Sequence, residues 1–185
     1  IAVHGRGGSA ADILQLAEHL ASEDTALIAP QANGHTWYPY SFLAAPAQNQ
    51  PALSSAIEVL HKISTQLQQD GWKPAQIYFM GFSQGACLTL EYCTRYARAY
   101  GGVIAFTGGL IGDRIYTQNY SGNFDNCPVY IGSSDVDPHV PLSRVRETEK
   151  LLQSMGADVE VNIFPGMAHT VNSQEMEKAR LLLQR

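Results

Sequence analysis

A serine flanked by glycines is the first place where this chain could do covalent chemistry. Gly81-Phe82-Ser83-Gln84-Gly85 fits G-x-S-x-G, follows the apolar run 77–80 and precedes an apolar helical pattern reaching about Tyr100. A sharp strand-to-helix turn needs small residues on both sides, because the backbone folds back tightly there. It lifts the serine out at the carboxyl end of the strand, beside the positive end of the helix that follows. A serine hydroxyl is a poor nucleophile and needs a base held by an acid. One known order of these three along a chain is serine, acid, histidine. Only His139 and His169 lie beyond Ser83. His169, in "GMAHT", follows the last strand pattern and precedes the last helix pattern, which puts it on the same rim as Ser83. The acid is expected from "GSSDVDPHVP" (132–141), where Asp135 and Asp137 compete. The context Asp-Pro-x-Val-Pro favours Asp137, its proline stiffening the turn, and Asp135 reads as a hydrogen-bonding loop residue; the reverse assignment stays open. His139 is too close to Asp137 to be the expected base and suits a surface or pocket-lip position.

The other chemical feature is "VHGRGGSA" (3–10), a strand end, a glycine loop and a helix start. This outline also suits a phosphate site, but the signatures fail. G-x-x-x-x-G-K-[ST] is absent, Ala10 stands where G-x-G-x-x-G needs its third glycine, and no acidic residue follows at dinucleotide spacing. A hydrolytic serine, in contrast, needs backbone N–H groups aimed at the oxyanion of its tetrahedral intermediate. One is expected from Gln84, after the nucleophile, and the other from the loop His4-Gly5-Arg6. Glycines let that backbone approach a substrate without side-chain clash. His4 is read as bracing the loop. The Arg6 side chain could meet an acidic substrate group or point to water.

Asp135, Asp137 and His139 also raise a metal reading. The EF-hand pattern fails, since its glycine and its final glutamate are missing, and no HExxH occurs. No metal and no cofactor are expected.

The elements that must position these groups alternate. Ser9-Ala-Ala-Asp12 resembles a capping box ahead of a helix with Ile13, Leu14, Leu16, Ala17 and Leu20 at helical spacing. "TALIAP" (25–30) reads as a buried strand ended by proline, and 31–50 as irregular and aromatic-rich. A longer helix from Pro51 is stopped by Gly71. Strand patterns then fall at 77–83, 101–109, 127–133 and 159–163, the third reached through a long polar loop. Further helices carry Val145, Thr148 and Leu152, then Met176, Ala179 and Leu183. Such alternation predicts an α/β fold, a mostly parallel sheet with helices on both faces and minimal or no cap. A single domain over 1–185 is expected, on a length that suits one core. The opening "IAVHG" reads as mid-strand, leaving room for amino-terminal strands or a signal ahead of it.

Composition narrows the partners. Hydrophobic residues make up 45% and charged ones only 16%, which suits a well-filled interior rather than a disordered chain. A net charge of −5 with no basic run argues against nucleic acid or an anionic membrane surface. No apolar run approaches a membrane span. Cys87, Cys93 and Cys127 form no CxxC pair and cannot all be paired within one chain, so a reducing, cytoplasmic setting is expected. The expected partner is a small-molecule ester, with a homodimer left open.

Taken together, "HGRGG", "GFSQGA", "SSDVDPHVP" and "GMAHT" resemble the phospholipase/carboxylesterase family of α/β-hydrolases, which includes acyl-protein thioesterases. The resemblance implies Ser83 as nucleophile, Asp137 as acid, His169 as base, and the amides of Arg6 and Gln84 as the oxyanion hole. "RGGS" stands where the thioesterases carry leucine and then Gly-Asp, and "HTWYPYSF" (35–42) replaces their Ser-Trp-Phe-Asp segment. These departures point away from long-chain protein depalmitoylation and towards bacterial carboxylesterases of the family. The implied activity is hydrolysis of small or medium acyl esters. The alternatives are an acyl-thioesterase or lysophospholipase, or a non-catalytic ligand-binding hydrolase fold. Trp37, Tyr38, Tyr40 and Phe42 are expected in part to line the acyl or alcohol pocket, or else to pack their loop onto the domain.

Overall fold

A computed structural model of the protein describes residues 1–184. Five strands, β1 (Ala2–Val3), β2 (Tyr78–Phe82), β3 (Gly102–Phe106), β4 (Pro128–Ser134) and β5 (Asp158–Phe164), form one sheet in the order β1-β2-β3-β4-β5. Every pairing is parallel. The helices are α1 (Ala10–Glu18), α2 (Ala52–Gln69), α3 (Gln84–Arg95), α4 (Leu142–Ser154) and α5 (Ser173–Leu183).

Alternation along the central strands sorts the core into two layers. Phe79, Val103, Ala105, Val129 and Ile131 join residues of α2, α3 and α4, among them Leu53, Leu60, Leu88, Val145 and Leu152. Met80, Ile104, Phe106 and Tyr130 join Ile13 and Ala17 of α1 and Ala179 and Leu182 of α5. With both faces covered, β2 and β3 read as nearly unbroken apolar runs, as parallel sheets do, whereas β5 alternates apolar with polar residues and is only half-buried. The connections 19–51 and 107–127 carry only short 3-10 turns, so no separate cap is built among the described residues. The capping box at Ser9 and Asp12 is formed, with each side chain satisfying the other's backbone N–H.

The segment 25–30 is not the buried strand its composition suggested. One backbone bond, from the Ala2 N–H to the Ile28 carbonyl at 2.8 Å, ties it to β1. Residues 22–26 are exposed and 27–30 only half-buried. Leu27 and Ala29 pack against the second core layer, but no strand among the described residues pairs the outer edge of this segment.

One buried carboxylate makes the stability of this fold depend on pH. Glu175, in the first turn of α5, is fully buried; its Oε2 accepts from the Asn172 N–H at 2.9 Å. Its Oε1 has no hydrogen-bond partner among the described residues and lies against Gly132 of β4, where even a Cβ would collide with it. Burial pushes this carboxyl up from 4.5 to about 7, against the opposing pull of the Asn172 N–H. The folded state therefore keeps a proton that the unfolded chain has lost. The contribution of Glu175 to stability is complete below about pH 4.5, declines through the interval and stays lost above about pH 7. At roughly 1.4 kcal/mol per pH unit the deficit is about 3 kcal/mol. Glu175→Gln is expected to remove this decline, which urea unfolding of both proteins at pH 5 and pH 8 would read. An unchanged decline in the variant would take Glu175 out of this account.

Candidate active site

The glycines around Ser83 are demanded by close backbone approach. A Cβ on Gly81 would collide with the Gly85 carbonyl, and one on Gly85 with the Val3 carbonyl of β1. Ser83 itself turns out of β2 at φ 55° and ψ −118°, a left-handed conformation that costs a non-glycine residue of order 1 kcal/mol or more. The turn is pinned by the Ser83 N–H, which donates to the Phe106 carbonyl at 2.9 Å. It sets the serine at the amino terminus of α3, whose dipole favours negative charge there.

The loops after β4 and β5 bring their chemistry to this serine. His169 Nε2 lies 2.7 Å from Ser83 Oγ, and its Nδ1 lies 2.6 Å from Asp137 Oδ2. A carboxylate can only accept, so Nδ1 carries the proton and Nε2 is left to accept from the serine hydroxyl. The other oxygen of Asp137 accepts from the N–H groups of His139 and Val140 at 2.8 and 2.9 Å. Burial raises the Asp137 carboxyl, but the hydrogen bonds from His169, His139 and Val140 outweigh it and hold the group below the usual carboxylate range. Its side chain is fully buried and that of His169 mostly so. Asp135 does something else: it accepts from the Gly166 N–H at 2.8 Å and so ties the loop of Asp137 to the loop of His169.

The glycine loop closes the other side. Gly5 is packed on the elbow so closely that a Cβ there would lie 3.4 Å from Ser83 Cβ. The backbone N–H groups of Arg6 and Gln84 donate to nothing within the protein among the described residues. Unspent N–H groups beside a serine hydroxyl are the kind of donors that can stabilise a developing oxyanion. His4 braces this loop from within. It is buried, its Nε2 accepts from the Ala32 N–H at 3.1 Å, and its Nδ1 therefore donates to the Gly5 carbonyl at 2.7 Å.

Of the four aromatic residues in the segment 37–42, Trp37, Tyr38 and Phe42 are buried in the main core, whereas Tyr40 is 59% exposed. Two neighbours of His169 were not singled out as its partners in the sequence. Phe82, the variable residue of G-x-S-x-G, sets its ring 5.3 Å from the imidazole, and His139 sets its ring edge-on at 4.9 Å. Their signal was position alone: each adjoins or nearly adjoins a residue already marked for chemistry.

The sequence pattern of the phospholipase/carboxylesterase family matches residues 1–185. The chain belongs to this family. Its fold is the α/β-hydrolase fold. A crystal structure of a phospholipase/carboxylesterase from Dyadobacter fermentans superposes with a TM-score of 0.97 at 48% identity, covering 100% of this chain and 88% of the other. Among family relatives, acyl-protein thioesterase 1 of Saccharomyces cerevisiae is 28% identical over 198 residues, 96% of this chain and 87% of its own. A probable carboxylesterase, SOBER1-like, of Arabidopsis thaliana is 25% identical over 134 residues, 72% of this chain and 51% of the plant protein. The chain spans about half the length of the plant carboxylesterases it matches. No helix among the described residues is long and apolar enough to cross a membrane.

Proposed function

We propose that this protein is a serine carboxylesterase acting on small or medium acyl esters, with Ser83, His169 and Asp137 as its catalytic residues. The observation that carries the reading is the unbroken hydrogen-bonded line from Asp137 Oδ2 through His169 to Ser83 Oγ. Ser83 Oγ attacks the ester carbonyl while His169 Nε2 takes its proton. The oxygen left with the negative charge meets the N–H groups of Arg6 and Gln84. His169 then returns the proton to the departing alcohol, leaving an acyl group on Ser83. Water, giving its proton to the same nitrogen, adds to the acyl carbonyl, and the acid leaves as Ser83 recovers its hydrogen. Asp137 keeps its charge throughout and steadies the imidazolium.

Tyr40 and the exposed Val136, between Asp135 and Asp137, supply apolar surface for an acyl or alcohol group at the rim. A thioester would use the same steps, and the relation to a yeast acyl-protein thioesterase favours including it. The test is a panel of p-nitrophenyl acetate, butyrate and octanoate beside the matching thioesters, with fluorophosphonate labelling of the folded protein. Turnover of the short oxygen esters and a label on Ser83 are expected. Thioesters cleaved far faster would assign the thioesterase reading. No label and no turnover would leave a ligand-binding hydrolase fold.

A further inference from the structure

The Arg6 side chain turns back onto the protein's own backbone. Its guanidinium donates to three successive carbonyls, those of Tyr38, Pro39 and Tyr40, at 2.9, 3.0 and 2.8 Å. The segment 36–40 they belong to is held by a second side chain. Gln84 Oε1 accepts from the Trp37 N–H at 3.0 Å, and Gln84 Nε2 donates to the Tyr38 carbonyl at 2.9 Å. These are the two residues whose backbone N–H groups, one following Ser83 and one following Gly5 in the chain, donate to nothing among the described residues. That segment and His35 just before it grip the glycine loop at two further points. Trp37 Nε1 donates to the His4 carbonyl at 2.8 Å, and the Gly7 N–H donates to the His35 carbonyl at 2.8 Å.

Physical reasoning gives this bracing a purpose. Gln84 sits in the first turn of α3, and its amide is fixed by the helix. Arg6 has no such support. It stands between Gly5 and the glycine pair Gly7-Gly8, with Gly7 at φ 79°, and glycine loses more freedom on ordering than any other residue. An amide serves a transition state only if it is aimed before the charge develops. The planar guanidinium fork meets three converging carbonyls in a way that a point-charge ammonium cannot.

We propose that the Arg6 guanidinium is the positioning residue of the oxyanion hole, locking the glycine loop onto the segment 36–40 so that the Arg6 N–H is held at a fixed place relative to the Gln84 N–H. This rests on the reading of Ser83 as nucleophile. Arg6 acts through its own backbone and through segment 36–40, not by contact with the substrate.

The experiment compares wild type, Arg6→Ala, Arg6→Lys and Ser83→Ala with p-nitrophenyl acetate, and measures inhibition by a methyl trifluoromethyl ketone, whose adduct with serine carries the oxyanion. Misplacement of one catalytic group by about 1 Å costs up to roughly 100-fold in rate. Arg6→Ala is expected to lower kcat by about 10- to 100-fold on that scale, with KM little changed and the ketone weakened by the same factor as kcat. Arg6→Lys keeps the charge and loses the fork, and is expected to fall between the two; it carries the test if Arg6→Ala does not fold, as circular dichroism would show. Added guanidinium ion is expected to restore part of the Arg6→Ala rate. Arg6 variants with wild-type kcat and ketone affinity beside an inert Ser83→Ala would overturn the positioning role alone. A raised KM with unchanged kcat would overturn it too, since it would make Arg6 a substrate contact. Ser83→Ala as active as wild type would instead remove the reading beneath it.

Discussion

Ser83→Ala is expected to lower kcat for p-nitrophenyl acetate by about 10⁶-fold, the scale seen when a serine nucleophile is removed from such a constellation. The remaining groups, His169 and the two unspent amides, still hold the ester but have no bound oxygen to attack with. KM is expected to move only a few-fold, because the hydroxyl contributes little to ground-state binding. A second effect follows from the backbone. Ser83 is held at φ 55°, so Ser83→Gly, equally inactive, is expected to unfold at a higher temperature than Ser83→Ala. Release of left-handed strain is of order 1 kcal/mol. Stability is thus given up at the one residue whose oxygen must stand clear of the strand. Activity of Ser83→Ala within tenfold of wild type would end the nucleophile assignment, and equal melting of the two variants would end the strain argument.

Asp137→Asn is expected to cost about 10⁴-fold in kcat while leaving the fold intact. Asparagine can turn its amide nitrogen towards His169 Nδ1, which would then accept, leaving Nε2 protonated and unable to take the proton of Ser83. Asp135→Asn should change kcat only a few-fold, since an amide oxygen can still accept from the Gly166 N–H. Kinetics of the two variants side by side decide between the aspartates; a larger loss at Asp135 would reverse the assignment. The two carboxylates differ in what they hold. Asp137 fixes the protonation of a base, and Asp135 fixes the distance between two loops.

Much of the site was legible because its signals are local. Gly81 and Gly85 are required wherever a strand turns so sharply that a Cβ would strike backbone, and this requirement writes itself into a pentapeptide. The capping pair at Ser9 and Asp12 and the two apolar layers are equally local, since period and cap geometry depend on near neighbours in the chain. Segment 25–30 misled because its composition reports apolar contact on one side but not whether another strand pairs with the other. The aromatic run 37–42 left two roles open, pocket lining and packing of its loop, because aromatic composition suits both. Trp37, Tyr38 and Phe42 fill the core beneath the site, and only Tyr40 is left open.

By itself, then, the sequence determined the kind of chemistry available: a serine at a sharp turn, then a pair of aspartates, then a histidine in the last strand-to-helix loop, on an alternating α/β frame. The tertiary structure decided the contacts within it. It chose Asp137 over Asp135 as the partner of His169 through 2.6 Å and 2.8 Å contacts that span 32 and 31 residues of chain. It also turned Arg6 back onto the carbonyls of residues 38–40. Backbone carbonyls belong to every residue alike, so nothing in the letters of a sequence marks which of them will converge. Only folding brings three of them to one guanidinium.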